Sequence, residues 1–149
     1  MENKETVIIG SDHAAYELKE KIRKHLADMG IGVKDAGTAG ESSVSYVDFG
    51  KKVAKAVADQ EFDRGILLCG TGIGMSMVAN RYPGVRAALC SDLFSARMSR
   101  RHNNANILVL GARVIGDMLA CEIVSEWLET GFEGGRHSER INSIDAEYI

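Results

Sequence analysis

Short runs of apolar residues alternate along the chain with longer segments in which apolar residues recur every three or four positions. The runs predict five strands, at residues 7–10, 31–34, 66–68, 85–90 and 107–110. Most of them are continuously apolar, which is typical of strands covered on both faces. The sequence therefore predicts an α/β fold, namely a three-layer α/β/α Rossmann-like domain around a five-stranded parallel sheet.

Helical periodicity follows the predicted strands. Leu18, Ile22 and Leu26 share one face of the first helix, which Gly30 ends in the manner of a C-cap glycine. Further helices are expected at 48–57, 75–81, 93–101 and 115–128, with a C-terminal helical tail from about residue 137. A chain of 149 residues suits one hydrophobic core, so we expect a single domain over residues 1–149.

The end of the third predicted strand has the most suggestive chemistry. Cys69 ends the apolar run, and a Gly70-x-Gly72-x-Gly74 cluster follows before helix-compatible residues resume. Glycines let the backbone approach a ligand closely, and a helix start presents unpaired N–H groups that favour an anion. A thiol in that setting ionises more readily, so Cys69 is a candidate nucleophile or base.

Familiar anion-binding motifs fit this loop poorly. A phosphate-binding P-loop needs a lysine after its last glycine, and none follows here. At the position of Met75, the dinucleotide fingerprint needs a third glycine and a cysteine phosphatase loop needs an arginine. Asp92 lies twenty positions after Gly72, as the ribose-binding acid of a dehydrogenase would, so that alternative stays open. If the chain is not a dehydrogenase, the loop has an anion site without dedicated phosphate-binding side chains. The negative charge that it stabilises is then one that develops during a reaction.

Composition and charge limit the classes of binding partner that the chain can have. The formal net charge of −3 gives no general reason to expect nucleic acid or an acidic membrane, and no apolar run approaches membrane-spanning length. Three cysteines without a CxxC pair argue against a disulfide framework or a zinc site, and they favour reduced thiols in the cytoplasm. Cys90 and Cys121 are interpreted as small core residues. Residues 93–116 contain no acid but five basic side chains, so a local anion site is compatible with the acidic total.

Arginines near the C-terminus form a second candidate site. Arg136 and Arg140 are four residues apart and share a helix face. Such a pair is either a solvated surface or a two-pronged phosphate clamp, to which Arg113 and His13 could add. The residue pattern leaves both interpretations open.

Four motifs occur in a characteristic order and spacing. They are Ser-Asp-His at 11–13, Cys-Gly-Thr-Gly-Ile-Gly-Met-Ser at 69–76, Ser-Arg-Arg-His-Asn at 99–103 and Gly-Gly-Arg-His-Ser-Glu-Arg at 134–140. Together they resemble the ribose-5-phosphate isomerase B family, which is grouped with galactose-6-phosphate and allose-6-phosphate isomerases. The resemblance covers essentially the whole chain. It implies an aldose–ketose isomerase of the pentose phosphate pathway that interconverts ribose 5-phosphate and ribulose 5-phosphate through an enediolate, without metal or organic cofactor.

The resemblance also implies a role for each candidate residue. Cys69 is similar to the base that moves a proton between C1 and C2, and His102 with Thr71 to the pair that opens the furanose ring. The backbone of Gly70, Gly72, Ile73 and Gly74 is implied to contact the substrate. The implied sugar-hydroxyl contacts are Asp12, Tyr46 and Asn103. The implied phosphate contacts are His13, Arg113, Arg136, His137 and Arg140. The chain departs from the family pattern at Tyr46-Val47, where members often carry Tyr-Pro.

The family is dimeric or tetrameric, and each site is built from two subunits. The resemblance therefore implies a homodimer or tetramer acting on a small sugar phosphate. One alternative is a six-carbon substrate such as allose 6-phosphate or galactose 6-phosphate. The other is a nucleotide-binding, dehydrogenase-like module that uses the glycine cluster and Asp92.

Overall fold

The computed structural model describes residues 5–146 of the chain. Five parallel strands form one sheet in the order β2-β1-β3-β5-β4. The strands are β1 Thr6–Ser11, β2 Gly32–Asp35, β3 Arg64–Cys69, β4 Ala87–Leu89 and β5 Ile107–Gly111. The predicted five-stranded parallel sheet is confirmed.

Within the described residues, six α-helices connect or follow the strands. They are α1 Tyr16–Asp28, α2 Tyr46–Ala58, α3 Ile73–Ala79, α4 Leu93–Arg101, α5 Asp117–Glu129 and α6 Arg136–Asp145. The bounds of α4 match the prediction, and Gly30 lies just beyond α1 with a left-handed φ of 77°, as a C-cap glycine should. No helix between residues 5 and 146 is both long and apolar enough to cross a membrane.

The fourth strand is shorter than its apolar run predicts. The N–H of Val85 donates to the carbonyl of Tyr82 in a turn, and the N–H of Arg86 donates to the side chain of Asn106. The N–H groups of these two residues therefore bond outside the strand ladder, and β4 begins at Ala87.

The sheet is covered on both faces, which explains its continuously apolar strands. On one face, α1, α4 and α5 pack against strand residues such as Ile9, Leu68 and Leu110. On the other face, α2 and α3 pack against Leu67 and Val109. Successive residues of a strand point to opposite faces, so every position in a doubly covered strand must be apolar.

The parallel strands give the sheet two different edges, which we call the carboxyl edge and the amino edge after the strand ends they contain. The strand order reverses between β1 and β3, where the N–H of Asp12 donates to the carbonyl of Leu68 at 3.3 Å. Ligands of such folds bind in the crevice outside the carboxyl ends at this reversal. Cys69, the last residue of β3, lies at that position.

A buried ion pair fixes the loop that leaves β2. The Lys19 ammonium is fully buried and lies 2.8 Å and 2.9 Å from the two carboxylate oxygens of Asp35. Asp35 also accepts the N–H of Gly37 at 2.9 Å, and the carbonyl of Gly37 accepts the N–H of Ser11 at 2.8 Å. The pair therefore ties α1 and β2 to the end of β1, beside the crevice.

The charge of Asp35 makes this pair sensitive to pH. Burial by itself raises the pKa of Asp35, but hydrogen bonds from Lys19 and from the Gly37 N–H, with the charges of Lys19 and Arg23, lower the pKa overall. A carboxyl with a lower pKa in the folded than in the unfolded protein stabilises the fold above its unfolded pKa. That contribution is lost as the pH falls through the folded pKa.

We expect Lys19→Met to lower the free energy of unfolding at neutral pH by about 3 kcal/mol, because removing one partner leaves the other charge poorly compensated. The deficit should shrink as the pH falls through the folded pKa of Asp35, since a protonated carboxyl no longer requires the ammonium. Urea unfolding of both proteins at neutral and acidic pH measures this. Lys24→Met, on the exposed side of the same helix, is the control. A deficit that does not change with pH would contradict the assignment.

Candidate active site

The thiol of Cys69 lies at the base of the glycine turn, which comprises residues 70–74. Cys69 is only 5% exposed, and its Sγ accepts the N–H of Gly72 at 3.2 Å. A hydrogen bond from a backbone amide stabilises a thiolate more than a neutral thiol. Gly72 has a φ of 83°, which glycine adopts without the steric penalty of other residues, and α3 begins at the next position.

The turn is packed closely at two positions. A Cβ at Gly72 would lie 2.4 Å from Cδ1 of Leu89, a partly exposed side chain that can move, and 3.2 Å from the main-chain carbonyl carbon of Leu110. A Cβ at Gly111, the last residue of β5, would lie 2.5 Å from the carbonyl oxygen of Thr71. The end of β5 therefore supports the backbone of the turn directly.

The turn offers backbone N–H groups to an incoming anion. The N–H of Ile73 is already used, since it donates to Oγ1 of Thr71 at 3.2 Å. Across residues 5–146, the N–H groups of Gly70, Thr71 and Gly74 have no hydrogen-bond partner. A thiol at the base of a turn with free N–H donors suits the removal of a carbon-bound proton beside a carbonyl, because the reaction needs a base and a site for the oxyanion.

An open cavity of about 460 Å³ lies over the thiol. Eight residues line it: Asp12, Tyr46, Cys69, Gly70, Thr71, Ile73, Gly74 and Met77. Tyr46 packs so closely on the turn that a Cβ on Gly74 would lie 2.6 Å from its ring. The side chain of Ser45 caps α2 by accepting the N–H of Val47 at 3.2 Å. Because of this cap, α2 starts at Tyr46, earlier than the apolar spacing predicts.

Three polar side chains reach the same edge of the sheet. Arg113 follows β5, and its Nη1 lies 3.7 Å from the place of a Cβ on Gly70. Nδ1 of His13 accepts the N–H of Val44 at 3.1 Å, so a neutral ring carries its hydrogen on Nε2. Asp12 is 8% exposed and caps the short turn after β1. A guanidinium therefore lies against the glycine turn, and an imidazole N–H lies at the same edge of the sheet.

A second cluster lies at the amino edge. The helix α4 runs back from the carboxyl edge and ends at Arg101, so His102 lies near the start of β5. The ring of His102 stacks on that of His137, with centroids 4.3 Å apart and planes inclined by 12°. Nε2 of His102 is 3.4 Å from Oε2 of Glu133. Burial, followed by the charges of His102 and Arg136, lowers the pKa of His137.

The same three side chains are the natural place to look for a metal. The candidate ligand atoms of His102, Glu133 and His137 lie within 4.8 Å of one another. The two imidazole planes are nearly parallel, however, so the lone pairs do not converge on one point as tetrahedral coordination requires. The observed arrangement suits proton transfer and charge pairing better than metal binding.

The remaining C-terminal candidates also lie at the amino edge. The helix α6 starts beside the His102 cluster, and the Asp145 carboxylate at its other end is 3.5 Å from the N–H of Gly84. Within one chain, the predicted site residues therefore lie in two separate groups. The carboxyl edge has Asp12, His13, Tyr46, residues 69–74 and Arg113, whereas the amino edge has His102, Asn103, Arg136, His137 and Arg140.

A larger cavity, of about 990 Å³, also opens at the amino edge. Three of its lining residues, Arg64, Arg86 and Arg100, donate to main-chain carbonyls of neighbouring segments. Burial, and then the charge of Arg64, lowers the pKa of Arg100 to about 10. These bonds connect strand starts to helix ends, so we assign the three arginines that line the cavity a structural role rather than a catalytic one.

Two other candidate residues, Cys90 and Asp92, have structural roles near their own positions. Cys90 is 2% exposed, and burial raises the pKa of its thiol to about 11, which makes it a poor competitor for Cys69. Asp92 accepts the N–H of Ser95 at 2.7 Å and caps α4. The dehydrogenase alternative therefore lacks a free ribose-binding acid at this position.

Two residues near these clusters were not among the sequence predictions. Met77 lines the cavity four positions after Ile73, so helical spacing on α3 could have found it. Glu133 lies in the irregular segment between α5 and α6. No periodicity or motif in the sequence connects it to His102.

Comparison with known proteins decides between an isomerase and a dehydrogenase-like module. The family model described as Ribose/Galactose Isomerase matches residues 7–144. The chain belongs to the ribose/galactose isomerase family. This confirms the resemblance drawn from the four motifs, and it makes the chain an isomerase rather than a dehydrogenase-like module.

Individual members of the ribose/galactose isomerase family align over nearly the full chain. Ribose-5-phosphate isomerase B of Escherichia coli strain K12 is 45% identical, with 94% of each chain covered. D-erythrulose-4-phosphate isomerase of Pectobacterium atrosepticum is also 45% identical, over 93% of this chain and 92% of that one. The structure of Clostridium thermocellum ribose-5-phosphate isomerase B matches with a TM-score of 0.93 at 53% identity, covering 95% of this chain and 96% of that one.

The close packing of the turn predicts different effects for two glycines of nearly equal φ. Gly84 has a φ of 84° and nothing within 4 Å of a Cβ, so Gly84→Ala should cost only the left-handed penalty of about 1–2 kcal/mol. Gly72→Ala should cost more, because the new Cβ would lie 3.2 Å from the backbone of Leu110 and would displace the Leu89 side chain. It should also change the rate at which iodoacetamide alkylates Cys69. Urea unfolding and peptide mass spectrometry measure both effects. Equal destabilisation with unchanged alkylation would show that the turn tolerates a side chain.

Proposed function

We propose that this isomerase interconverts ribose 5-phosphate and ribulose 5-phosphate through an enediolate. The observation that carries the proposal is the contact between the Cys69 thiol and a turn whose N–H groups at Gly70, Thr71 and Gly74 are free within residues 5–146. The names of the relatives from Escherichia coli and Clostridium thermocellum support the five-carbon substrate.

Cys69 is assigned as the base that transfers the proton between carbons. As a thiolate, it takes the proton from C2 of the open aldose, and the electron pair of that bond forms the C1–C2 double bond. The charge that develops on O1 is stabilised by the free N–H groups of the turn. After the proton of the C2 hydroxyl moves to O1, the thiol returns its proton to C1, and the ketose forms without change in redox state.

The other candidates divide between ring opening and substrate binding. His102 with Thr71 is assigned to opening the furanose, and Asp12, Tyr46 and Asn103 to the sugar hydroxyls. The phosphate is assigned to the cationic and imidazole side chains: His13, Arg113, Arg136, His137 and Arg140. A phosphate that only anchors the substrate can be held away from the reacting carbons by such groups.

These assignments require two copies of the chain. Cys69 is at the carboxyl edge and His102 at the amino edge of the same sheet, so one chain does not present both to one sugar phosphate. We propose a homodimer, alone or within a tetramer, in which the carboxyl edge of one copy faces the amino edge of its partner. In a two-fold dimer this arrangement creates two equivalent sites.

Exposed apolar side chains support that interface. Single exposed apolar residues are ordinary, but here three line the cavity over Cys69, and four more lie at or near strand ends or helix starts of the same carboxyl edge. They are Tyr46, Ile73, Met77, Leu89, Phe94, Val114 and Met118, each between 38% and 81% exposed. A second copy would cover them while supplying the ring-opening and phosphate-binding residues.

The surroundings of the reaction follow from its chemistry. A base that must remain a free thiol favours a reducing compartment, so we place the enzyme in the cytoplasm and in pentose phosphate metabolism.

A four-carbon substrate is the second candidate after ribose 5-phosphate, because the Pectobacterium relative is named for erythrulose 4-phosphate. Six-carbon sugar phosphates are the third, since the family description includes galactose.

Kinetics on aldose phosphates of four, five and six carbons test the substrate assignment. We expect the highest kcat/KM for ribose 5-phosphate, with losses of about 10-fold or more for erythrose, allose and galactose phosphates, because a misplaced phosphate displaces the reacting carbons. Equal or higher kcat/KM for another chain length would transfer the assignment to that sugar.

Cys69→Ala should abolish isomerisation of ribose 5-phosphate without unfolding the protein. The expected loss in kcat is roughly 10²–10⁴-fold, the usual contribution of a positioned base. Circular dichroism checks the fold, and Cys121→Ala, which removes a half-buried thiol of α5, is the matched control. A Cys69→Ala enzyme with near-parental kcat would mean that another group moves the proton.

Mixing two inactive variants tests whether the site is shared. If Cys69 and His102 come from different copies, a hybrid of Cys69→Ala and His102→Asn contains one intact site. Random mixing by joint refolding should restore about a quarter of parental activity, since half of the dimers are hybrids with one working site each. Each variant refolded alone provides the baseline. No recovery above that baseline, with hybrids detected by native mass spectrometry, would place both residues in one copy.

A further inference from the structure

Glu133 lies beside the side chain that the proposed function uses for ring opening. Its Oε2 is 3.4 Å from Nε2 of His102, and both side chains keep partial contact with solvent, at 49% and 40% exposure. An isolated pair with this exposure contributes little to stability. A carboxylate at one nitrogen of an imidazole nevertheless determines which nitrogen carries the hydrogen.

The backbone holds Glu133 in place independently of its carboxylate. The N–H of Glu133 donates to the carbonyl of Arg101 at 3.0 Å, and Nε of Arg100 donates to the carbonyl of Thr130 at 3.3 Å. His102 is itself fixed, because its N–H closes the last turn of α4 on the carbonyl of Met98 at 2.9 Å. The segment between α5 and α6 therefore docks on the end of α4 and brings the carboxylate to the imidazole.

His137 restricts the imidazole from another direction. Its ring stacks on that of His102, so rotation of the His102 ring would break the stack. The other charged groups that act on His137 are Arg136 and Arg140 of α6. Among these neighbours within the described chain, Glu133 is the acid, and its carboxylate faces Nε2 of His102.

We propose that Glu133 is a positioning residue for ring opening, a role that rests on the proposed function. Its carboxylate accepts the hydrogen on Nε2 of His102, which leaves the lone pair on Nδ1. Nδ1 then takes the proton of the anomeric hydroxyl and gives a proton to the ring oxygen. The bond between C1 and the ring oxygen breaks as the C1 carbonyl forms, so protons and electrons balance. Glu133 stabilises the imidazolium between the two transfers.

Two substrates separate this role from a structural one. Ribose 5-phosphate must be opened, whereas ribulose 5-phosphate cannot close a furanose because its O5 is esterified. We expect Glu133→Gln to lower kcat for ribose 5-phosphate by about 10²-fold, the low end of the contribution of a general acid–base group, because His102 in the wrong tautomer no longer serves as one. Exchange of the C1 hydrogen of ribulose 5-phosphate in deuterated water should stay near the parental rate. It needs only binding, proton abstraction and return.

Two further variants sharpen the comparison. Glu133→Asp keeps the charge and should restore part of the lost kcat. Glu129→Gln, an exposed acid at the end of α5, should change neither reaction. Equal losses of isomerisation and exchange in Glu133→Gln, or no loss of either, would overturn the role of Glu133. Failure of the parent enzyme to convert ribose 5-phosphate would instead overturn the proposed function itself.

Discussion

The approach of β3 and β5 at their carboxyl ends determines the geometry of the candidate active site. The N–H of Ala112 donates to the carbonyl of Cys69, and the N–H of Arg113 donates to the carbonyl of Gly70, each at 2.9 Å. These two bonds continue the ladder beyond the strands. They fix the backbone of Cys69, of the start of the glycine turn and of Arg113 relative to one another before any substrate binds, and the Arg113 guanidinium lies against Gly70. Such preorganisation is what makes backbone donors effective in stabilising a developing charge.

The same parallel arrangement separates the catalytic groups within one chain. Each helix that follows a strand returns across the sheet, so residues at helix starts and helix ends lie at opposite edges. Asp92 begins α4 at the carboxyl edge, and His102 follows its end at the amino edge. A chain of this topology completes a site containing both kinds of group by association. The exposed apolar side chains at the carboxyl edge are consistent with that requirement.

Polar groups outside the reaction centre support it through the backbone. The buried pair of Lys19 and Asp35 secures the loop next to the end of β1. At the opposite edge, Arg100 and Glu133 join the irregular segment before α6 to the end of α4. In both places a charged residue orders a stretch of chain that has no ladder or helix of its own, and the ordered stretch lies beside candidate site residues.

The sequence by itself determined the fold class and the chemistry of the turn. Continuous apolar runs specify strands buried on both faces, and Cys69 with three alternate glycines specifies a thiol beside exposed backbone amides, because both signals are local. Only the tertiary structure decided which N–H groups stay free, that β4 begins at Ala87, and that Glu133 faces His102. The last two features depend on contacts between segments far apart in the chain, and the first depends on the local geometry of the glycine turn. Thr71, Asn106 and Glu133 acquire their partners from turn geometry and segment docking, for which hydrophobic periodicity gives no signal.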